Sequence, residues 1–471
     1  MLIIFKLLLL LIFFYSLGLF LFKILLKLNI IENYTDSLVV KLLISIIFIN
    51  NFIIFGIKLD YFIYLLYTSL LFFIVYLFSN RLKFYNNNLS FNIIDNNFII
   101  FLLVIIFFLI KIIIEPLQLW DARSIWFYSG KIIYFNNQYN FENFQSDLCN
   151  KCLFLFYPKL IPVLASLIAK TIGFWNDYLT KVSLFIIIIP PIIFLKNEFK
   201  SHIVFLLSLI LIIYSNGFYN WNGYMDGYLS IYSALTYYSL VKYNELKENK
   251  YLLLVIIFLA MCINLKIESV FLIISLILFI LISKDFKLLI KCFSKKFIFN
   301  ILIFLVPSLI WILLNFYEFY DFSPNSNKND FPILQYLGNL INSNEVLGSR
   351  FNNYLSYIIS ITLYDSKIVF YFILIFILKA LDWHFKFLNI SWNKILLLQI
   401  VPTIYIILIL FFYLYIGYSH GLSSMKDWAL ASFDRYTLPI KGILSINILI
   451  MFNSIKKNYI YHKYKQSNKK N

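Results

Sequence analysis

The chain has 471 residues, of which 62% are hydrophobic, 20% aromatic and 13% charged; its mean hydropathy is +0.82 and its formal net charge +17. Soluble domains run at about 45–50% apolar and about 25% charged, so this composition excludes a soluble enzyme, a disordered chain and a disulfide-rich secreted module, and leaves a polytopic membrane protein. The bias toward Ile, Leu, Phe, Lys, Asn and Tyr follows AT-rich codons, so the basic excess is not read as nucleic-acid binding; what carries information is where the 40 Lys and Arg lie relative to the membrane.

A membrane-spanning helix needs about 20 predominantly apolar residues. Stretches 3–22, 39–57 and 61–79 open the chain. The first is too long for a signal-peptide core and is followed by no small-residue cleavage site. Stretch 98–115 leads into a long polar connection, 115–177 (loop one), which contains a shorter apolar stretch, 158–175, expected to lie at the interface or dip partway in. Then come 178–195 with its Pro190-Pro191 pair, 203–218, a short connection at 218–227 (loop two), 227–242, 251–265, 268–283 and 297–316. A connection at 317–352, an interrupted stretch at 353–364, spans at 366–381 and 395–416, a final connection at 417–436 and a last span at 437–453 complete the chain. The expectation is an all-α polytopic membrane protein of about 13 transmembrane helices with a large first extracytoplasmic loop carrying juxtamembrane helices. It divides into N-terminal helices (1–97), a core carrying loop one (98–316) and a C-terminal part ending in a basic tail (317–471).

The charges orient this arrangement. With the lysine-rich C-terminal tail taken as inside, more than half of the 40 Lys and Arg fall on that side, including Lys196, Lys200 and the cluster Lys284, Lys287, Lys291, Lys295 and Lys296. About two thirds of the 23 Asp and Glu fall on the other. Positive residues accumulate on the cytoplasmic side, so loops one and two and the last connection are expected to face outward. If 158–175 crossed the membrane, both basic clusters would change sides, which argues that it does not.

The chemistry-bearing residues gather at span ends on that outer face. Loop one opens with Glu115, Pro116, Trp120, Asp121, Arg123, Trp126 and Lys131. An interfacial carboxylate among Trp rings can have its basicity adjusted by desolvation; equally, the Trp residues can be belt anchors and Asp121 a helix cap. The loop ends in Tyr157-Pro158-Lys159, where Pro158 suits the first turn of a helix. Loop two carries Gly223-Tyr224-Met225-Asp226-Gly227-Tyr228, with Asp226 at the start of an apolar helix, either a functional acid near bilayer depth or a solvated cap. Lys266 and Glu268 stand two apart in a tight turn, able to pair, to bind a polar ligand or simply to hydrate. The last connection holds His420, Lys426 and Asp427, then Asp434-Arg435-Tyr436; an Arg fork suits a phosphate, and an interfacial Arg can also snorkel outward. Cys149 and Cys152 in loop one fit a local disulfide, free thiols or half of a zinc site.

Taken in order, Trp120-Asp121-Ala122 with Trp126 and Lys131, then Tyr157-Pro158 with Leu160 and Pro162, then Gly223-Tyr224 with Asp226-Gly227-Tyr228, then Leu265-Lys266 with Glu268, then Trp428 with Ser432 and Asp434-Arg435-Tyr436 resemble the polytopic glycosyltransferases of the GT-C superfamily, the bacterial relatives of protein O-mannosyltransferases and of the lipid A aminoarabinose transferase. The resemblance spans about 98–440. It implies sugar transfer from a polyprenyl-phosphate sugar at the outer face of a bacterial inner membrane, probed by membrane lipids on all sides, with an acceptor it does not identify and no nucleic acid. It implies Asp121 as the catalytic base and Asp226 as the second acidic position, which in some members helps to hold a divalent metal, the one cofactor in question. Lys131, Lys159 and Arg435 become candidates for the donor phosphate, and Glu115, Trp120, Arg123, Trp126, Lys266, Glu268 and His420 supporting residues. Where relatives place a second acid beside the first-loop Asp, this chain has Arg123, and Lys159 stands where the second Pro of the usual Tyr-Pro-Pro-Leu would be. Two other readings compete: an O-antigen or capsule polymerase, which would rely on a large later loop, and a non-enzymatic lipid-linked glycan flippase or transporter, which would carry midplane ionisable or broken-helix sites. Pro190-Pro191 is the feature that favours the latter.

Overall fold

The computed structural model describes residues 2–32, 37–84, 96–117, 120–139, 157–199, 201–282, 294–322, 356–357, 359–362, 365–385 and 392–467. Among them every regular element is a helix. In chain order these are α1 (Leu2–Lys27), α2 (Leu38–Ile54), α3 (Leu59–Phe84), α4 (Asn96–Ile114), a π-helical turn (Ala122–Phe127) running into α5 (Tyr128–Asn136), α6 (Leu160–Ile172), α7 (Val182–Glu198) and α8 (His202–Asn216). A 3₁₀ turn (Gly217–Asn220) leads to α9 (Asp226–Leu246), α10 (Asn249–Leu265), α11 (Ser269–Ile282), α12 (Lys295–Phe304), α13 (Val306–Phe322), α14 (Ser366–Phe385), α15 (Trp392–Tyr436) and α16 (Leu438–Ser467).

Helix α9 is the centre of the bundle. It packs along α10 on one side and α16 on the other, and α16 in turn carries α8, α14 and α15. Four small hydroxyl residues along it, Ser230, Ser233, Thr236 and Ser239, are all buried. Ser230 Oγ donates to the Leu438 carbonyl at 2.7 Å and Thr236 Oγ1 to Tyr232 O at 2.7 Å. Small side chains let helices approach closely where lipid supplies no hydrophobic drive between them.

Among the described residues, α1 and 202–220 are long and apolar enough to cross a membrane, and a third span results if α12 and α13 count as one; eight more apolar helices are shorter. Several expectations change. The stretch 297–316 is two helices, α12 and α13, bent by 44° at Leu305; Pro307 in the first turn of α13 accounts for the break, because a proline there has no N–H to continue the preceding ladder. The connection expected at 417–436 is helical, the C-terminal part of the 45-residue α15. Pro190 and Pro191 lie inside an unbroken α7, so the broken-helix feature that favoured a transporter is gone. The stretch 158–175 yields α6 of 13 residues, starting at Leu160 with Pro158 outside its first turn. α6 is covered by α1, α2, α3, α5 and α7, and every residue from Leu160 to Ala169 is buried. At 1.5 Å per residue it is about 20 Å long, short of the hydrocarbon thickness of about 30 Å.

The C-terminal helices are pinned by a buried cation. Lys441 is fully buried in α16, with Nζ 2.7 Å from Asp365 Oδ2 before α14 and 2.6 Å from Asp434 Oδ1 near the end of α15. Thr437 Oγ1 donates to the same Asp365 carboxylate at 3.3 Å. Removing one partner of a buried ion pair leaves the other uncompensated and costs about 3–5 kcal/mol. Lys441→Met is therefore expected to lower unfolding stability by about 3 kcal/mol, read as a fall in thermal midpoint in detergent, whereas Lys470→Met in the tail leaves it unchanged.

Candidate active site

The site forms where loop one, loop two, the α10–α11 turn and the end of α15 converge. Loop two is drawn in by glycine. Gly223 has φ +93, and a Cβ there would sit 2.7 Å from Leu117 Cδ2 and 2.9 Å from Ala122 Cβ, so loop two can pack against loop one only because the side chain is missing. At Gly227, in the first turn of α9, a Cβ would be 2.3 Å from the Tyr219 carbonyl oxygen. The loop is fixed by Asn216 Nδ2, which donates to Asn220 Oδ1 and to the Gly227 carbonyl, both at 3.0 Å, and by Tyr228 OH donating to Asn220 O at 2.7 Å.

Two charge clusters result. In the first, Arg435 Nη1 donates to Asp121 Oδ2, joining residues 314 apart in sequence, and the guanidinium carbon stands 5.1 Å from the Tyr224 ring centroid. Asp121 makes no side-chain capping bond to the helix that follows it; its carboxylate is turned to Arg435 instead, which removes the cap reading. In the second, Lys266 Nζ lies 2.8 Å from Asp226 Oδ1 and 3.1 Å from Glu268 Oε1, with all three residues buried. Neither a solvated cap at Asp226 nor a hydrated turn at Lys266 survives this burial. Burial alone would lower the Lys266 pKa, but Asp226 and Glu268 outweigh it and hold the ammonium well above its ordinary range. Tyr157 OH donates to Glu268 Oε1 at 3.4 Å, Trp126 stacks edge-on against Tyr157 at 5.5 Å, and the Tyr436 ring centroid is 5.4 Å from Lys266 Nζ. Trp126, 2% exposed, is thus a wall residue and not a membrane-belt anchor, whereas Trp120 is 48% exposed.

Three atoms in these clusters are buried without a hydrogen-bond partner: Asp226 Oδ2, Glu268 Oε2 and Arg435 Nε. A buried orphan costs about 1–3 kcal/mol, and such groups mark places where a ligand supplies the missing bond. The donor set does not suit a divalent ion. The Lys266 ammonium already stands between the two carboxylates, where a metal bridging Asp226 and Glu268 would have to sit, and it compensates part of their charge. No step below passes through a metal.

The other expected residues fall around a neighbouring cavity of about 370 Å³. Arg123, Lys131 and Lys181 line it together with Asp177, Tyr128, Tyr178, Phe127, Leu117 and Pro116. Lys181 Nζ donates to the Ile113 carbonyl at 3.0 Å and to the Glu115 carbonyl, which is how Glu115 enters the site: through its backbone. Burial pushes the Lys181 ammonium down to about 8, opposed by the Glu115 charge. Lys159 is buried immediately before α6, and burial pushes its ammonium down to about 7. The His420 side chain, Cys149 and Cys152 lie outside the described residues. Sequence reasoning gave no role to Tyr224, Tyr157 or Tyr436, although each stands inside a quoted motif; Lys181 had no signal, since it opens an ordinary apolar helix.

Among the described residues an all-helical, strongly apolar architecture gathers acids and cations from four separate segments of the sequence into one place. Residues 193–311 match the family model described as dolichyl-phosphate-mannose-protein mannosyltransferase, a family of the GT-C glycosyltransferase superfamily. The match bears out the GT-C resemblance and indicates a membrane glycosyltransferase of the mannosyltransferase type. It takes in Asp226, Lys266 and Glu268 and leaves Asp121, Lys131, Lys159 and Arg435 outside. No curated protein and no solved structure matches the chain.

The cavity chemistry predicts a pH dependence. A phosphate monoester has its second pKa at about 6 and is already dianionic above neutrality, so between pH 7 and 9 the change comes from the protein. As pH rises through about 8, Lys181 loses its proton and the cavity loses a positive charge. Binding of a short-chain isoprenyl phosphate to the purified protein, followed by calorimetry, is expected to weaken over that interval, and Lys181→Gln to flatten the profile.

Proposed function

We propose that this protein transfers a sugar from a polyprenyl-phosphate-linked donor to a hydroxyl acceptor at the outer face of a membrane that the chain crosses about 13 times, with inversion at the anomeric carbon. The observation that carries the reading is the Asp121–Arg435 pair beside the Asp226–Lys266–Glu268 cluster, with donor and acceptor atoms left over in both. A lipid-linked sugar keeps its chain among the helices and its head group at their ends, which is where these residues are.

In this reading Asp121 takes the proton of the acceptor hydroxyl as its oxygen attacks the anomeric carbon. The bond from that carbon to the phosphate oxygen breaks, and the polyprenyl phosphate leaves with the electron pair. Arg435 serves both ends: Nη1 orients Asp121, while the unpartnered Nε is available to a phosphate oxygen without breaking that pair. Lys131, with Arg123 and Lys181, offers the donor phosphate a cationic cavity, and Lys159 supports the packing of loop one behind it. Asp226 Oδ2 and Glu268 Oε2 are acceptors suited to sugar hydroxyls. Double displacement would need a carboxylate nucleophile; with Asp121 assigned to the acceptor proton and the free oxygens of Asp226 and Glu268 to sugar hydroxyls, the reading is direct displacement. The setting that fits is a bacterial inner membrane with the site facing the periplasm.

The test is sugar transfer from a polyprenyl-phosphate donor in membranes. General-base catalysis contributes about 10²–10⁴-fold, so Asp121→Asn is expected to reduce transfer by about that range while membrane insertion holds. Glu268→Gln is expected to weaken transfer and leave part of it. Wild-type rates in Asp121→Asn would remove the base assignment, and loss confined to Asp226→Asn would move it to loop two.

A further inference from the structure

At the far end of α10 from the reaction site lies a second cavity, of about 300 Å³. Lys266 follows the last residue of α10; the cavity is lined by its first residue, Asn249, with Leu252, Leu253 and Ile256 one turn further on. Seventeen residues at 1.5 Å each put about 25 Å between the two ends, close to the thickness of a hydrocarbon core. The two sites therefore lie at opposite ends of the same helix.

The cavity has two kinds of wall. Its apolar side is Leu252, Leu253 and Ile256 with Ile30, Ile31 and Phe297. Its polar side is the start of α12: Ser294 caps the helix by accepting from Phe297 N, and Lys295 and Lys296 occupy the first turn. Helix N-termini direct free N–H groups and a partial positive charge at a ligand, and here two exposed ammonium groups add to that field. Lys296 holds Glu32 at 3.3 Å, a half-exposed pair, while Lys295 makes no ion pair among the described residues. At the base of the cavity Asn300 is 7% exposed; its Nδ2 donates to the Ile30 carbonyl at 3.4 Å, and its Oδ1 is buried without a partner. That oxygen is an acceptor, so what completes it must bring a hydrogen-bond donor.

We infer that this cavity binds an anionic phospholipid, with the phosphate on Lys295, Lys296 and the N-terminus of α12, a head-group hydroxyl donating to Asn300 Oδ1, and the acyl chains along Leu252, Leu253 and Ile256. Each part of the cavity matches one part of such a lipid, and a soluble anion would leave the apolar wall uncovered. The cavity lies in the lysine-rich 284–296 region of the sequence, on the side where basic pockets between helices meet acidic head groups. The inference does not depend on the reaction assigned to the opposite face.

The experiment compares lipid binding by the purified full-length chain in neutral-lipid nanodiscs doped with phosphatidylglycerol or with phosphatidylcholine, read by native mass spectrometry and by thermal midpoint. Phosphatidylglycerol is expected to be retained and to raise the midpoint; phosphatidylcholine is not. Two surface lysines contribute about 1 kcal/mol each, so Lys295→Gln/Lys296→Gln is expected to weaken phosphatidylglycerol retention about 30-fold. Asn300→Leu should weaken phosphatidylglycerol retention more than that of phosphatidic acid, which has no head-group alcohol beyond the phosphate. Lys469→Gln/Lys470→Gln, equally charge-reducing, is the control and should behave as wild type. Equal retention of phosphatidylcholine, an unchanged midpoint shift in the Lys295/Lys296 variant, an equal loss in the tail control, or full stabilisation by soluble glycerol 1-phosphate would each overturn the assignment.

Discussion

The buried Lys266 ammonium is the interaction on which the candidate site depends. It stands within 3.1 Å of two carboxylates, Asp226 from the start of α9 and Glu268 from the turn into α11, and all three residues are buried. Removing one partner of a buried ion pair is far more costly than keeping it, so the pair fixes the α10–α11 turn against the start of α9. Because each acid gives only one oxygen to Lys266, the other remains for something else.

Around that pair the charge divides by sign. The centre holds three carboxylates, Asp121, Asp226 and Glu268, against two cations, Lys266 and Arg435, and the free oxygens of Asp226 and Glu268 favour neutral hydrogen-bond donors. The adjoining cavity holds Arg123, Lys131 and Lys181 against Asp177 and favours an anion. A molecule that joins a neutral polyol to a phosphate, and the phosphate to a long apolar chain, finds a matching surface for each part. The packing of loop two on the Leu117 and Phe127 side of this cavity relies on the close approach at Gly223, since a Cβ there would push loop two off loop one.

The two ends of the last connection are linked through adjacent residues. Asp434 is held by the buried Lys441, and its neighbour Arg435 holds Asp121. The position of the guanidinium is therefore set from α16 and α14 as well as from loop one. This explains why a long helix, and not a loose connection, delivers Arg435: the unbroken α15 transmits the packing of the C-terminal bundle to the site.

Composition alone determined that the chain lives in lipid and is helical, because backbone groups in hydrocarbon must be satisfied within a helix and 62% hydrophobic residues leave little else. The order of the motifs determined that Asp121, Asp226, Lys266, Glu268 and Arg435 belong together, since span ends on one side share one surface. Which of them touch was decided only by tertiary packing. Nothing in the sequence spacing pairs Asp121 with a residue 314 positions away, or places Lys266 between Asp226 and Glu268 instead of pairing it locally. Lys181 was invisible because one lysine ahead of an apolar run reads as a flanking charge; only the fold turns it into a shared cavity with Lys131 and Arg123. The burial of α6 and the break between α12 and α13 were likewise hidden, because hydropathy measures how apolar a stretch is and not whether lipid or protein covers it.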